Sequence, residues 1–142
     1  MRSVPKHPIF TTVIAFSKGA LFTIERKLEP YEGFYSLPES PVRRGESLEN
    51  AALRTLKEAS GLVGTKMKLI GIHDSLERLE KTRVYLVSFL ALNWTGEPPL
   101  ENCRWITNWQ SEQLAFEHNI MVLEADEVIG MASKSRLLYA VR

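Results

Sequence analysis

At 142 residues, with 44% hydrophobic and 25% charged side chains, the chain fits one globular domain with a single core and is too apolar for a disordered segment. A net charge of +1 and a pI near 7.9 create no global field for a polyanion, so no nucleic-acid partner is expected. One cysteine, Cys103, excludes an internal disulfide framework, and no apolar run approaches the roughly 20 residues that span a bilayer, so a cytoplasmic protein with no membrane partner is expected.

Residues 1–9 read as a loose lead-in, with Pro5, Lys6, His7 and Pro8 breaking any signal-peptide run. Phe10 to Phe16 is rich in β-formers, Ser17-Lys18-Gly19 is a turn, and Ala20 to Glu25 alternates apolar and polar, which predicts a hairpin. Arg26 to Tyr35 carries Pro30 and Gly33 and reads as a loop. A helix follows from Leu48 to Ala59. Ser47 is a good N-cap, Glu46 and Glu49 suit the positive end of the helix dipole, and Gly61 is placed to end the helix in a left-handed conformation. At about 100° per residue, Leu48, Ala52, Leu56 and Ala59 share one face and are expected to pack inward. Arg54 and Glu58 are four apart and can pair, on a neighbouring face.

Beyond the helix, Lys66 to Ile72 predicts a short strand. Thr82 to Leu92 is nearly continuous in apolar residues, as for a strand covered on both faces. The run LERLEK between them, with Glu77 and Glu80, reads as solvated charge. Glu97-Pro98-Pro99 breaks the chain, Asn102 to Thr107 is a short strand, and Gln110 to Leu114 a helical turn. Ala115 to Ile129 predicts a second helix with Ile120, Leu123 and Val128 inward. There is no internal repeat, linker or low-complexity tract, so residues 1–142 are expected to be one domain.

The stretch Leu37 to Leu62 carries the chemistry. It resembles the signature of the Nudix (MutT-like) family, G-x5-E-x7-R-E-U-x-E-E-x-G-U with U apolar. With Gly61-Leu62 as anchor, the first glutamate falls on Glu46, the arginine on Arg54, the apolar position on Leu56 and the next glutamate on Glu58. Leu37-Pro38-Glu39-Ser40 and Gly45-Glu46-Ser47 stand where the family often has LPGG and GES. The resemblance implies an α/β fold, an α/β/α sandwich with a mixed sheet. Gly71-Ile72-His73-Asp74 and Leu114-Ala115-Phe116-Glu117-His118, preceded by Arg104-Trp105, are similar to segments of the ADP-ribose pyrophosphatase-like branch.

In the family the helix glutamates hold divalent metal, Mg²⁺ or Mn²⁺, against a substrate diphosphate. The chemical need is a shell of hard oxygen ligands. Here Thr55 and Ala59 replace two of the glutamates, and Ser40 replaces the glycine that opens the box. At ~2 kcal/mol per lost carboxylate, metal binding weakens roughly 10³-fold. The resemblance then makes Glu58 the expected, weak or absent, metal ligand and the remaining helix carboxylate of the catalytic set, with Glu46 and Arg54 in supporting roles, orienting neighbours. Arg43 and Arg44, with Glu39 and Ser40, are the expected substrate contacts. Each arginine either grips phosphate or faces water.

Other candidates have plainer readings. His118 is either a ligand contact or a helix-entry residue, and the latter is favoured. His73 and Asp74 are adjacent in a strand and point to opposite faces. Phe34, Tyr35 and Trp105 are candidates for base stacking, but the core reading is favoured, and Cys103 reads as a structural thiol.

The leading expectation is a protein that binds a nucleoside diphosphate linked to another moiety, ADP-ribose-like, with hydrolysis weak, altered or lost. The alternatives are a working Mg²⁺-dependent diphosphohydrolase that borrows a carboxylate from Glu39, Glu77 or Glu80, and a partner-binding module with a vestigial cleft. The resemblance also allows a homodimer. The roughly dozen residues beyond the last predicted helix are too few for a helix-turn-helix DNA reader.

Overall fold

The computed structural model describes residues 8–98 and 101–141, from 132 onward by backbone alone. In chain order it contains β1 (Ile9–Ile14), β2 (Phe16–Ser17), β3 (Ala20–Glu25), β4 (Tyr35–Ser36), β5 (Glu39–Pro41), α1 (Leu48–Ser60), β6 (Val63–Gly64), β7 (Met67–Leu79), β8 (Thr82–Ala91), β9 (Trp94–Thr95), β10 (Cys103–Ile106), a 3₁₀ turn (Trp109–Ser111) and α2 (His118–Val141). Most of the lead-in lies outside the described residues. Ile9 already belongs to β1, and the Pro8 carbonyl accepts the Tyr85 N–H at 2.9 Å.

The main sheet has the order β5-β1-β8-β7. Strand β1 runs parallel to β8 and antiparallel to β5, so the sheet is mixed. A second sheet has the order β10-β3-β2, with β4 also on β3, and β6 pairs with β9. Strand β8 is central in the main sheet and, as its sequence predicts, is covered on both faces from Val84 to Ala91, with Tyr85 alone half-buried. One face packs Leu86 and Leu90 against Met121, Val122 and Ala125 of α2. The other packs Val87, Phe89 and Ala91 against Ala52 and Leu56 of α1. The result is the mixed α/β architecture of the Nudix sandwich.

Helix α1 forms where the sequence places it. The Asn50 N–H donates to Ser47 Oγ at 3.1 Å, and Gly61 ends the helix at φ +76°. Its inward face is shifted from the expected one. Ala51, Ala52, Thr55, Leu56 and Ser60 are buried, whereas Leu48 is exposed and Ala59 half-exposed. Two hydroxyls can face the sheet because each has a local carbonyl to bond: Thr55 donates to the Ala51 carbonyl and Ser60 to that of Leu56.

Three other expectations change. The predicted short strand is the 13-residue β7, bulged near Ile70 and again between Ser75 and Leu79. Helix α2 starts at His118, not Ala115, and continues to Val141 through the predicted tail. Its inward residues are Met121, Val122 and Ala125, while Ile120 and Leu123 are more than half exposed. No helix among the described residues is long and apolar enough to cross a membrane.

Candidate functional site

The end of β5 and the loop that follows it are held to α1 by one arginine of the helix, Arg54. All five N–H donors of Arg54 are used. Nε and Nη2 reach the two oxygens of Glu46 at 2.7 and 2.9 Å, and Nη2 also donates to the Pro41 carbonyl at 2.8 Å. Nη1 donates to Glu58 at 2.9 Å and to Ser40 Oγ at 3.3 Å. Glu46 also accepts the Arg43 N–H at 3.0 Å. The Arg54 guanidinium, and after it the Arg43 N–H, hold the Glu46 carboxyl down at about 2. Arg54 is pushed up by the same contact.

Glu58, half exposed, bridges two guanidiniums: Arg54 at one oxygen and Arg43 Nη2 at the other, the latter at 3.1 Å. Arg54 above all, and Arg43, keep its carboxyl below the ordinary range. Arg44 is exposed on the same loop.

Behind this layer, Thr55 is the centre of a hydroxyl cluster. Thr55 donates to the Ala51 carbonyl at 2.7 Å and therefore accepts from its two other partners, Thr11 at 2.9 Å and Ser40 at 2.5 Å. Ser40, in turn, accepts from Arg54. Thr55 is 2% exposed. The cluster joins β1, β5 and α1 without a charge.

Next to it lies a cavity of about 220 Å³ lined by Ile24, Arg26, Ser36 to Glu39, Ala59, Phe116 and His118. Glu39, an expected substrate contact and in the alternative reading a borrowed carboxylate, is engaged by Thr12, His118 and Arg78. One oxygen accepts from Thr12 at 2.8 Å and from His118 Nε2 at 3.1 Å, and the other from Arg78. Because His118 Nδ1 accepts the Leu37 N–H at 3.1 Å, the ring proton sits on Nε2, and His118 is a buried positioning residue. Burial pushes the Glu39 carboxyl up, but the His118, Arg78 and Thr12 contacts outweigh it and the net shift is downward.

Arg78 is the residue the sequence hides. It sits inside the charge run read as solvated, yet its side chain is 6% exposed and joins Glu39 to Glu117. Its guanidinium lies 3.9 Å from the centre of the Phe116 ring, and Arg26 approaches the same ring at 4.8 Å. Tyr31 meets the ring edge-on. Glu77 and Glu80 are exposed, as the solvated reading has them. Trp105 stacks on Trp94 and meets Phe22 edge-on, packed against the core, while Phe34 is partly exposed against Tyr31. His73 pairs with Glu124 at 2.6 Å and Asp74 with Arg83, so the adjacent residues have separate partners. Burial raises the Cys103 thiol.

Glu58 is bridged by two arginines and Glu39 by three donors. Among the described residues no three His, Cys, Asp or Glu side chains converge on one point. The donor set does not assemble a divalent-cation shell.

A model of the NUDIX domain matches residues 5–125. The chain belongs to the Nudix family. A 70-residue stretch is 33% identical to the ADP-ribose pyrophosphatase of Methanocaldococcus jannaschii; it covers 49% of this chain and 41% of that protein, so the chain matches only about two-fifths of this relative's length. Among solved structures, the MutT Nudix hydrolase of Burkholderia pseudomallei superposes with a TM-score of 0.73 at 21% identity, covering 82% of this chain and 96% of that one. The Nudix domain of Shewanella oneidensis NrtR, solved with ADP ribose, superposes at 0.76 and 19% identity, covering 90% and 94%. A further NrtR structure, complexed with a 27mer DNA, matches at 0.70 and 18% identity; 87% of this chain and 62% of that one align. At these identities the superpositions establish the Nudix fold.

Proposed function

We propose that this Nudix domain binds a nucleoside diphosphate carrying a second moiety, of the ADP-ribose type, with hydrolysis weak or absent. The observation that carries the reading is the charge arrangement at the box: arginines surround the surviving glutamate, so the site offers cationic donors where a cation would need carboxylates. The kinship to an ADP-ribose pyrophosphatase and to a domain solved with ADP ribose supports the choice of ligand class. The cavity beside Ala59 gives room for a nucleoside part against Phe116, and Arg43, on the loop before α1, reaches Glu58, the residue preceding Ala59; Arg44 follows it on the exposed loop.

The test pairs binding with turnover. ADP-ribose is expected to raise the melting temperature in EDTA, and the shift is expected to vanish when Arg43 and Arg44 are both replaced by glutamine. Phosphate-ester products from ADP-ribose in Mg²⁺ or Mn²⁺ are expected to stay near background. Brisk turnover abolished by Glu58→Gln would instead make the protein a metal-dependent diphosphohydrolase. No response to any nucleotide would leave a partner-binding module.

A further inference from the structure

The cation cluster at the box is already occupied by an anion of the protein's own. Glu58 takes Arg54 Nη1 with one oxygen and Arg43 Nη2 with the other, at 2.9 and 3.1 Å. Since the remaining donors of Arg54 are held by Glu46, Ser40 and Pro41, an incoming phosphate can reach Arg54 only where Glu58 now sits. The Glu46 side chain is 16% exposed and grips Arg54 with both oxygens, whereas Glu58 is 50% exposed and holds each arginine through one. Glu58 is therefore the member that can leave.

We propose that Glu58 is a displaceable internal anion: a phosphate of the ligand takes its place between Arg43 and Arg54, and Glu58 swings into solvent. The exchange is chemically even. A carboxylate and a phosphate both present two oxygens to a pair of guanidinium N–H groups, but the phosphate brings the larger charge and a third oxygen for the free donors of a re-aimed Arg43. Glu58 is anchored at the exposed side of α1, so release needs only side-chain rotation, and its carboxylate is well solvated once freed. Exposed pairs of this kind are weak, which lets a multiply charged ligand win. The consequence is an inverted role for the residue. In a metal-dependent site Glu58 helps binding; here it competes with the ligand and sets a threshold of phosphate charge that a ligand must exceed.

The proposal rests on the phosphate-binding reading above, and two probes keep the two apart. Inorganic pyrophosphate reports on the exchange, and ADP-ribose on the ligand class. Both are titrated in EDTA by calorimetry against the wild type, Glu58→Gln, Arg43→Gln and, as a charge control on the same helix, Glu49→Gln, each shown to melt cooperatively. The expected result is that Glu58→Gln binds pyrophosphate about 3- to 10-fold more tightly, which corresponds to losing one exposed competitor. Arg43→Gln is expected to bind at least several-fold more weakly, and Glu49→Gln to match the wild type. Unchanged or weaker pyrophosphate binding by Glu58→Gln, an equal gain in Glu49→Gln, or no pyrophosphate binding by either form overturns the exchange. Pyrophosphate binding that follows the expected order with no response to ADP-ribose upholds the exchange and overturns the ligand class.

Discussion

Replacing Arg78 with methionine tests how the cavity wall is held. Methionine keeps an apolar stem against Phe116 and removes the guanidinium. The side chains of Arg78 and Glu39 are 6% and 12% exposed, so water cannot take over the lost pairing. Breaking one side of a buried ion pair costs about 3–5 kcal/mol. Two features lower that figure. Glu39 keeps His118 and Thr12, and Glu117, at 31% exposure, can turn to solvent. The wild type also carries an unpartnered Arg78 Nε, a penalty of about 1–3 kcal/mol that the variant sheds. The net loss is about 2–3 kcal/mol, or roughly 5–12 °C in Tm for a domain of this size.

The pH dependence supplies the sign. In the wild type the Glu39 carboxyl is lowered, so its contribution is complete above the ordinary carboxylate value and is lost as pH falls through the lowered one. Without Arg78, burial is less opposed and protonation relieves a buried charge. The deficit of the variant is therefore expected to shrink between about pH 7 and pH 5. Circular-dichroism melts at the two pH values measure this. A Tm change under about 2 °C at neutral pH, or a deficit that widens on acidification, refutes the argument.

Three more outcomes follow from the box. Thr55→Val removes the hub of the hydroxyl cluster at a site 2% exposed and is expected to cost about 1–2 kcal/mol in urea unfolding; a neutral effect would show that Thr11 and Ser40 find other partners. Glu46 is held down at about 2, so its share of stability is present above about pH 4.5 and drains away as pH falls toward that value. Glu46→Gln is expected to flatten the loss of stability between pH 4.5 and 2, measured by urea midpoints, and parallel slopes would contradict this. Thr55→Glu combined with Ala59→Glu places carboxylates at the two helix positions where the signature resemblance expects them and is expected to raise Mg²⁺ affinity, by up to roughly 10³-fold in calorimetry, at some expense of stability. Unchanged metal binding by a folded double variant would count against the register of the box.

The local signals in the sequence were the dependable ones. Ser47 and Gly61 marked both ends of α1, since capping depends on the residue and its near neighbours. The buried face of that helix was harder to read. Periodicity counts apolar residues, whereas Thr55 and Ser60 go inward because local carbonyls satisfy their hydroxyls. Helix α2 is apolar on several sides, so the pattern could not choose Met121, Val122 and Ala125 over Ile120 and Leu123. In the site, Glu46, Arg54 and Glu58 are spaced along one loop and helix, and the structure brings them together. Arg78 left no comparable trace. A bulge between Ser75 and Leu79 interrupts the strand period around it, and its two carboxylate partners are each 39 residues away.

The cavity has a seam. One side comes from residues 35–39 and the other from residues 115–118, stitched by the Ala115 N–H to the Tyr35 carbonyl at 2.9 Å and the Leu37 N–H to His118, 81 residues apart in the chain. The signature stretch can curl into its helix from local preferences, but the cavity proposed to receive ligand exists only after the distant segment has closed over it. During synthesis, recognition should thus switch on late and all at once, and a bound ligand should report completion of the whole fold and not of the helix alone.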